Sequence, residues 1–155
     1  MAAIVSAEHV SIAFGTRILL DDVSLGLSAG DVIGVVGRNG DGKTTLLSLL
    51  TGRLTPDSGS IVAASGASIG FLSQTDDFAP EASVRDVIVD GEADHVWAAN
   101  AVSRGIVEHL LADISLDADV AALSGGERRR VGLVALMLGG HDLIVLDEPT
   151  NHLDV

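Results

Sequence analysis

Gly37, Gly42, Lys43 and Thr44 stand in the order G-x-x-x-x-G-K-T, and residues of these types at this spacing can hold a chain of phosphates. Phosphate oxygens need several N–H donors at close range. Glycine lets the backbone come near because no Cβ stands in the way. A helix starting near Lys43 would aim its unpaired N–H groups and the positive end of its dipole at the same place. Lys43 adds a point charge for β- and γ-phosphates, and the Thr44 hydroxyl suits Mg²⁺, which prefers oxygen ligands. A second chemical group lies far along the chain. Leu143-Ile144-Val145-Leu146 leads into Asp147 and Glu148. The first acid of such a pair can hold Mg²⁺, and the second can orient or deprotonate an attacking water. The same pair also reads as an acidic turn after a strand.

These residues need particular elements around them. The apolar run at residues 32–36 predicts a short strand covered on both faces. Leucines at 46, 47, 49 and 50 predict a helix over residues 44–50 that faces a core, with Gly52 as its stop. Upstream, residues 4–13 and 18–27 read as strands, with turns at 15–17 and 28–31. Residues 56–59, Pro-Asp-Ser-Gly, are a turn signal. Residues 60–64 and 68–73 read as short strands. Residues 76–80 read as a loop, and 84–89 and 93–112 as helices. An acidic loop spans 115–122. Ser124-Gly125-Gly126-Glu127 opens a helix whose apolar body is 131–138, and 143–146 is a second buried strand. The succession suggests an α/β core with a helical segment inserted in it.

Composition limits what such a chain can do. Its 155 residues are the length of one ordinary domain, and 47% are apolar, enough for a core of Val, Leu, Ile and Ala. There is no cysteine, so neither a disulfide nor a thiolate zinc site. The first residues carry no basic stretch of the signal-peptide kind. The best apolar run, 131–146, is interrupted by Gly139, Gly140, His141 and Asp142, so no membrane insertion is expected and the expected location is cytoplasmic. The net charge of −13 argues against direct nucleic-acid binding by this segment, because neutralising phosphates takes a surplus of Lys and Arg. His9, His95, His109, His141 and His152 have no ligand spacing. Trp97 reads as a packing anchor. Arg128-Arg129-Arg130 reads either as a solvated helix face or as a contact to a partner.

One more observation brings in a family. The phosphate loop is followed in order by Gln74 after a short strand, by Leu123-Ser124-Gly125-Gly126-Glu127, and by a run from Leu146-Asp147-Glu148-Pro149-Thr150 to Asn151-His152-Leu153-Asp154. This set, from Phe14 to Asp154, resembles the nucleotide-binding domain of ATP-binding-cassette (ABC) proteins. The Asn151-His152 form of the last motif resembles the ABC-F subfamily, soluble tandem-cassette ATPases of which many act on the ribosome. The fold implied is an α/β P-loop NTPase of ABC type with an N-terminal antiparallel β region. Its ATP-binding core would be residues 1–75 and 123–155. An inserted helical subdomain would span 76–122, with the signature helix 124–138 at its border.

The resemblance also implies roles. Phe14 would stack on adenine, where the alternative is a core residue at a strand end. Gly37, Arg38, Asn39, Gly40, Asp41, Gly42, Lys43, Thr44 and Thr45 would form the Walker A loop around ATP. Thr44, Gln74 and Asp147 would hold Mg²⁺, and Glu148 would be the catalytic glutamate. Ser124, Gly125, Gly126 and Glu127 would serve the nucleotide of a second ABC cassette, from the same full-length chain or from another copy. Asn151, His152, Leu153 and Asp154 would form the D-loop across that interface. A ribosome is the further partner implied for an ABC-F protein; the energy subunit of a membrane transporter is the rival reading. Asp41 departs from the family, which has a small residue there, and its carboxylate would weaken triphosphate binding unless it turned away or met a cation. No residue up to Val155 matches the family's switch histidine, so the chain reads as the N-terminal part of a longer protein.

Overall fold

A computed structural model of the chain describes residues 3–73, 78–89 and 94–149, with only the backbone for 94–96. The chain divides into two compact units, Met1–Ile69 and Gly70–Val155.

The first unit is built on a three-stranded antiparallel sheet. Strand β1 is Ala3–Phe14, β2 is Arg17–Ser28 and β3 is Ser58–Ala63, in the order β2-β1-β3. Alternation in β1 is broken in the sequence, and the break is structural. Val5 and Ala7 are buried, then Val10 and Ile12, out of phase by one residue. A bulge resolves the mismatch, since slipping by one residue turns side chains to the other face. At the bulge His9 and Asp22 both take positive φ, 52° and 51°. His9 Nδ1 lies 2.6 Å from Asp22 Oδ1, and His9 N donates to Ser24 Oγ at 2.9 Å. Helix α1, Lys43–Leu50, buries Leu49 and Leu50 and packs on β1. It ends at Thr51 and Gly52, the latter at φ 71°.

Two expectations fail in this unit. Residues 32–36 form no strand, and Val32 and Val36 are 98% and 93% exposed. A strand needs a lateral partner for its N–H and C=O groups, and among the described residues no strand pairs with this run. Gly59 is not in a turn. It lies within β3 at φ 84°, opposite the β1 bulge. The turn residue before it, Asp57, instead accepts from Ala13 N at 2.8 Å.

Strand β4, Ile69–Leu72, begins at the last residue of the first unit and runs on in the second, paired with β5, Leu143–Leu146. Helices α2, Val84–Val89, α3, Asp94–Ala99, α4, Ala101–Leu110, and α5, Gly125–Leu138, surround a core of Val84, Ile88, Val107, Leu111, Val131 and Val134. Trp97 packs half-buried against that core, as a packing anchor does. The single helix expected over 93–112 is two. Asn100 breaks it, with ψ at 117° and its side chain accepting from Val102 N and Ser103 N. Asn competes with the helical backbone and caps the next helix instead. The strand β5 is covered on one face rather than two: Val145 is buried and Ile144 exposed.

Candidate functional site

The glycine-rich loop occupies the first unit. Gly40 and Gly42 take φ of 86° and 91°, a region that residues with a Cβ avoid. Gly42 stands at the start of α1, and no side chain caps that helix. Its first N–H groups therefore have no side-chain acceptor of the chain's own, the condition under which a helix start receives an anion. Lys43 Nζ donates to the carbonyls of Gly37 and Arg38, 3.0 Å each, and so reaches back over the loop. Thr44 is exposed at the helix start. These residues fit a phosphate group and an oxygen-bound cation beside it.

Asp41 has two partners. Its Oδ2 accepts from Arg38 N at 2.9 Å, and its Oδ1 lies 3.9 Å from the Arg17 guanidinium. The carboxylate thus takes an N–H at the edge of the phosphate loop and meets a cation there. The sequence marks Arg17 only as a lone basic residue in a turn. Replacing Asp41 by Ala is expected to tighten the binding of a triphosphate at this loop by about 2- to 5-fold, the scale of a solvent-exposed charge, and more at low salt. Equilibrium nucleotide binding over a salt series checks this. Weaker binding would instead mean that the carboxylate keeps the loop in its receptive shape.

Phe14 ends β1 with 55% of its surface exposed, so it is not a buried strand-end residue, and an aromatic face is open to solvent.

In the second unit Asp147 follows β5 and is only 3% exposed, with its N–H donating to Leu72 O at 3.0 Å. Glu148 follows at φ 46°, a left-handed conformation that costs a residue with a Cβ of order 1 kcal/mol. Gln74 and Asn151, His152, Leu153 and Asp154 lie outside the described residues.

Ser124 caps α5 in a reciprocal box. Its Oγ accepts from Glu127 N at 3.3 Å, and Glu127 Oε2 accepts from Ser124 N at 2.7 Å. The Ser124 side chain and N–H beside Glu127 hold its carboxyl below the ordinary glutamate range. The box fixes where the helix begins, with Gly125 exposed at its first turn.

Of the three arginines that follow, Arg129 and Arg130 do not lie on a solvated face. Arg129 is 4% exposed, and its guanidinium donates to the carbonyls of Ser73 and Asp147. Arg130 bonds both oxygens of Asp113, at 2.7 and 2.9 Å. The hydrogen bond from Arg130 lowers the pKa of Asp113 and raises that of Arg130. Neighbours on a helix point 100° apart, so three adjacent arginines cannot share one environment, but that spacing alone does not say which of them turns inward.

The family described as "ABC transporter" matches residues 20–151 of this chain. The chain is 34% identical over 188 residues to the energy-dependent translational throttle protein EttA of Mycobacterium tuberculosis, covering 97% of this chain and 34% of that protein. It is 35% identical over 158 residues to the zinc import ATP-binding protein ZnuC of Yersinia enterocolitica, covering 100% of this chain and 61% of that protein. A solved metal-chelate type ABC transporter in an inward-facing conformation superposes with a TM-score of 0.77 at 29% identity, over 99% of this chain and 63% of that one. The chain spans between 23% and 61% of the length of the curated relatives it matches. The architecture is thus that of an ABC-type P-loop nucleotide-binding domain, mixed α/β with antiparallel N-terminal strands.

Proposed function

The chain belongs to the ABC transporter family, and on that premise we propose that it binds ATP with Mg²⁺ and contributes to ATP hydrolysis in the full-length protein. The observation that carries this reading is the uncapped start of α1 behind Gly42, with Lys43 Nζ 3.0 Å from two loop carbonyls. Loop amides of residues 37–45 and Lys43 bind the phosphates, and Phe14 stacks on the adenine. Glu148 orients a water and takes its proton as the water oxygen bonds to the γ-phosphorus. The bond from γ-phosphorus to the bridging oxygen breaks, leaving ADP and phosphate. Thr44, Gln74 and Asp147 would hold Mg²⁺, which when bound offsets the charge of the β- and γ-phosphates. Such catalysis is positioning and electrostatics.

The signature residues Ser124, Gly125, Gly126 and Glu127 serve the nucleotide of a second cassette in this reading, and Asn151, His152, Leu153 and Asp154 cross between the two. The start of α5 supports it: Gly125 is exposed there, at the positive end of a 14-residue helix. Residues 76–122 form the helical insertion and residues 1–75 with 123–155 the ATP-binding core.

For the biological role we favour a cytoplasmic ABC-F protein that acts on the ribosome. The Asn151-His152 pair and the likeness to a translational throttle protein support this. Among the described residues no helix is long and apolar enough to cross a membrane. The likeness to a zinc import ATP-binding protein supports the second reading, the energy subunit of a transporter. Affinity capture of the full-length protein separates them: ribosomes support the first, a membrane-embedded partner the second.

ATP binding itself is tested with Lys43→Ala. Loss of a charged donor to phosphate is expected to weaken Mg-ATP binding by about 10- to 100-fold, measured by titration calorimetry on the full-length protein. Undiminished affinity would overturn the assignment of the loop.

A further inference from the structure

Arg129 joins two places that the proposed chemistry needs. It sits on α5, one turn past the Ser124 cap, and is almost wholly buried. One terminal nitrogen donates to the carbonyl of Ser73, the residue after β4, and the other to the carbonyl of Asp147, the residue after β5, at 2.6 Å. The two strands are neighbours, and Asp147 N donates to Leu72 O at 3.0 Å. The guanidinium therefore spans the ends of both strands.

A buried cation is costly unless its donors are met. Here two backbone carbonyls each accept from one terminal nitrogen, an arrangement that suits a planar fork rather than an ammonium group. What the fork holds is specific. The Asp147 carbonyl belongs to the same rigid peptide plane as Glu148 N. Fixing that oxygen fixes the plane from which Glu148 departs at its left-handed φ of 46°.

We propose that Arg129 is a positioning residue for ATP hydrolysis, holding the Asp147–Glu148 peptide in the orientation that Glu148 needs to act on water. This rests on the role proposed for Glu148. Arg129 is almost wholly buried and its terminal nitrogens face backbone carbonyls, so its effect falls on turnover and not on affinity. A carboxylate misplaced by an ångström costs about 100-fold in rate.

The test uses the full-length protein with Arg129→Lys and Arg129→Met, each alone and combined with Glu148→Gln. Mg-ATP affinity and single-turnover hydrolysis are measured for all. Expected are affinities within about 2-fold of the parent and a turnover about 10- to 100-fold lower for both single variants. In the Glu148→Gln background the residual rate should not fall further, because a group that acts through Glu148 has nothing left to position. Equal losses in both backgrounds, unchanged turnover, or a fall in affinity matching the fall in rate would overturn the proposal. So would an Arg129→Lys protein that fails to fold even with ATP present, which would make the residue a structural support alone. A parent protein without any ATPase activity would instead refute the proposed function. An active parent with indifferent Arg129 variants would refute only the positioning role.

Discussion

Replacing Glu148 by Gln in the full-length protein is expected to cut the rate of ATP hydrolysis by about 10²- to 10⁴-fold, the range over which a positioned proton acceptor acts. Mg-ATP affinity should stay within a few-fold of the parent. Glutamine keeps the shape of the side chain and can still hydrogen-bond water, but it cannot take a proton. Glu148 turns off the end of β5 at a φ of 46°, next to the buried Asp147. The substitution leaves that turn intact, so a fall in rate reads the carboxylate and not the fold. ATP held without being consumed should accumulate the protein in its nucleotide-bound, paired state. Size-exclusion chromatography with ATP, alongside phosphate release, checks both parts. Turnover equal to the parent would remove Glu148 from the mechanism.

Gly59→Ala should have the largest effect on the fold. A Cβ at this position would lie 2.3 Å from His9 O and 2.5 Å from Glu8 O, both backbone atoms, with φ at 84°. Neither atom can swing aside, because they belong to the β1 bulge that restores the phase of Val10 and Ile12. The conformational penalty alone is of order 1 kcal/mol. Opening the bulge adds enough that a total above about 3 kcal/mol is expected, at the exceptional end for one substitution. For a chain of this size that lowers Tm by about 6–12 °C. Gly66→Ala is the control: φ is 79°, but nothing lies within 4 Å of its Cβ, so only the conformational part should appear. Differential scanning calorimetry on both variants tests the contrast, and equal losses would mean that β3 shifts away from the bulge without difficulty.

The parts of this protein that depend on local chemistry were legible in the sequence. The glycine loop, the helix that follows it and the Ser124 start of α5 each rest on residues within a few positions of one another. So does the pairing of β1 with β2, whose turn is marked by Gly15. The parts that depend on distant partners were not legible. An apolar run at 32–36 records a need for cover, but not which strand provides it. The helical period over 93–112 hid the cap at Asn100, although an asparagine in that position was an available signal. Arg129 was invisible as a buried residue because its acceptors, Ser73 O and Asp147 O, are backbone atoms brought near only by β4 and β5. Asp41 stood out by its residue type, while the explanation for it, Arg17, came from a strand 24 positions away in the numbering.

Residues 32–36 set two opposed forces on the behaviour of this chain in solution. Within residues 1–155, five residues without a charge, with Val32, Ile33, Val35 and Val36 exposed, leave hydrocarbon that another copy of this segment can meet. The net charge of −13 keeps those copies apart. Salt weakens only the repulsion, since it shortens the reach of the charge from about 10 Å at 0.1 M to about 3 Å at 1 M, while kosmotropic salts strengthen apolar association. Dilute buffer therefore favours a dispersed chain, and concentrated salt favours one that adheres to itself along this run.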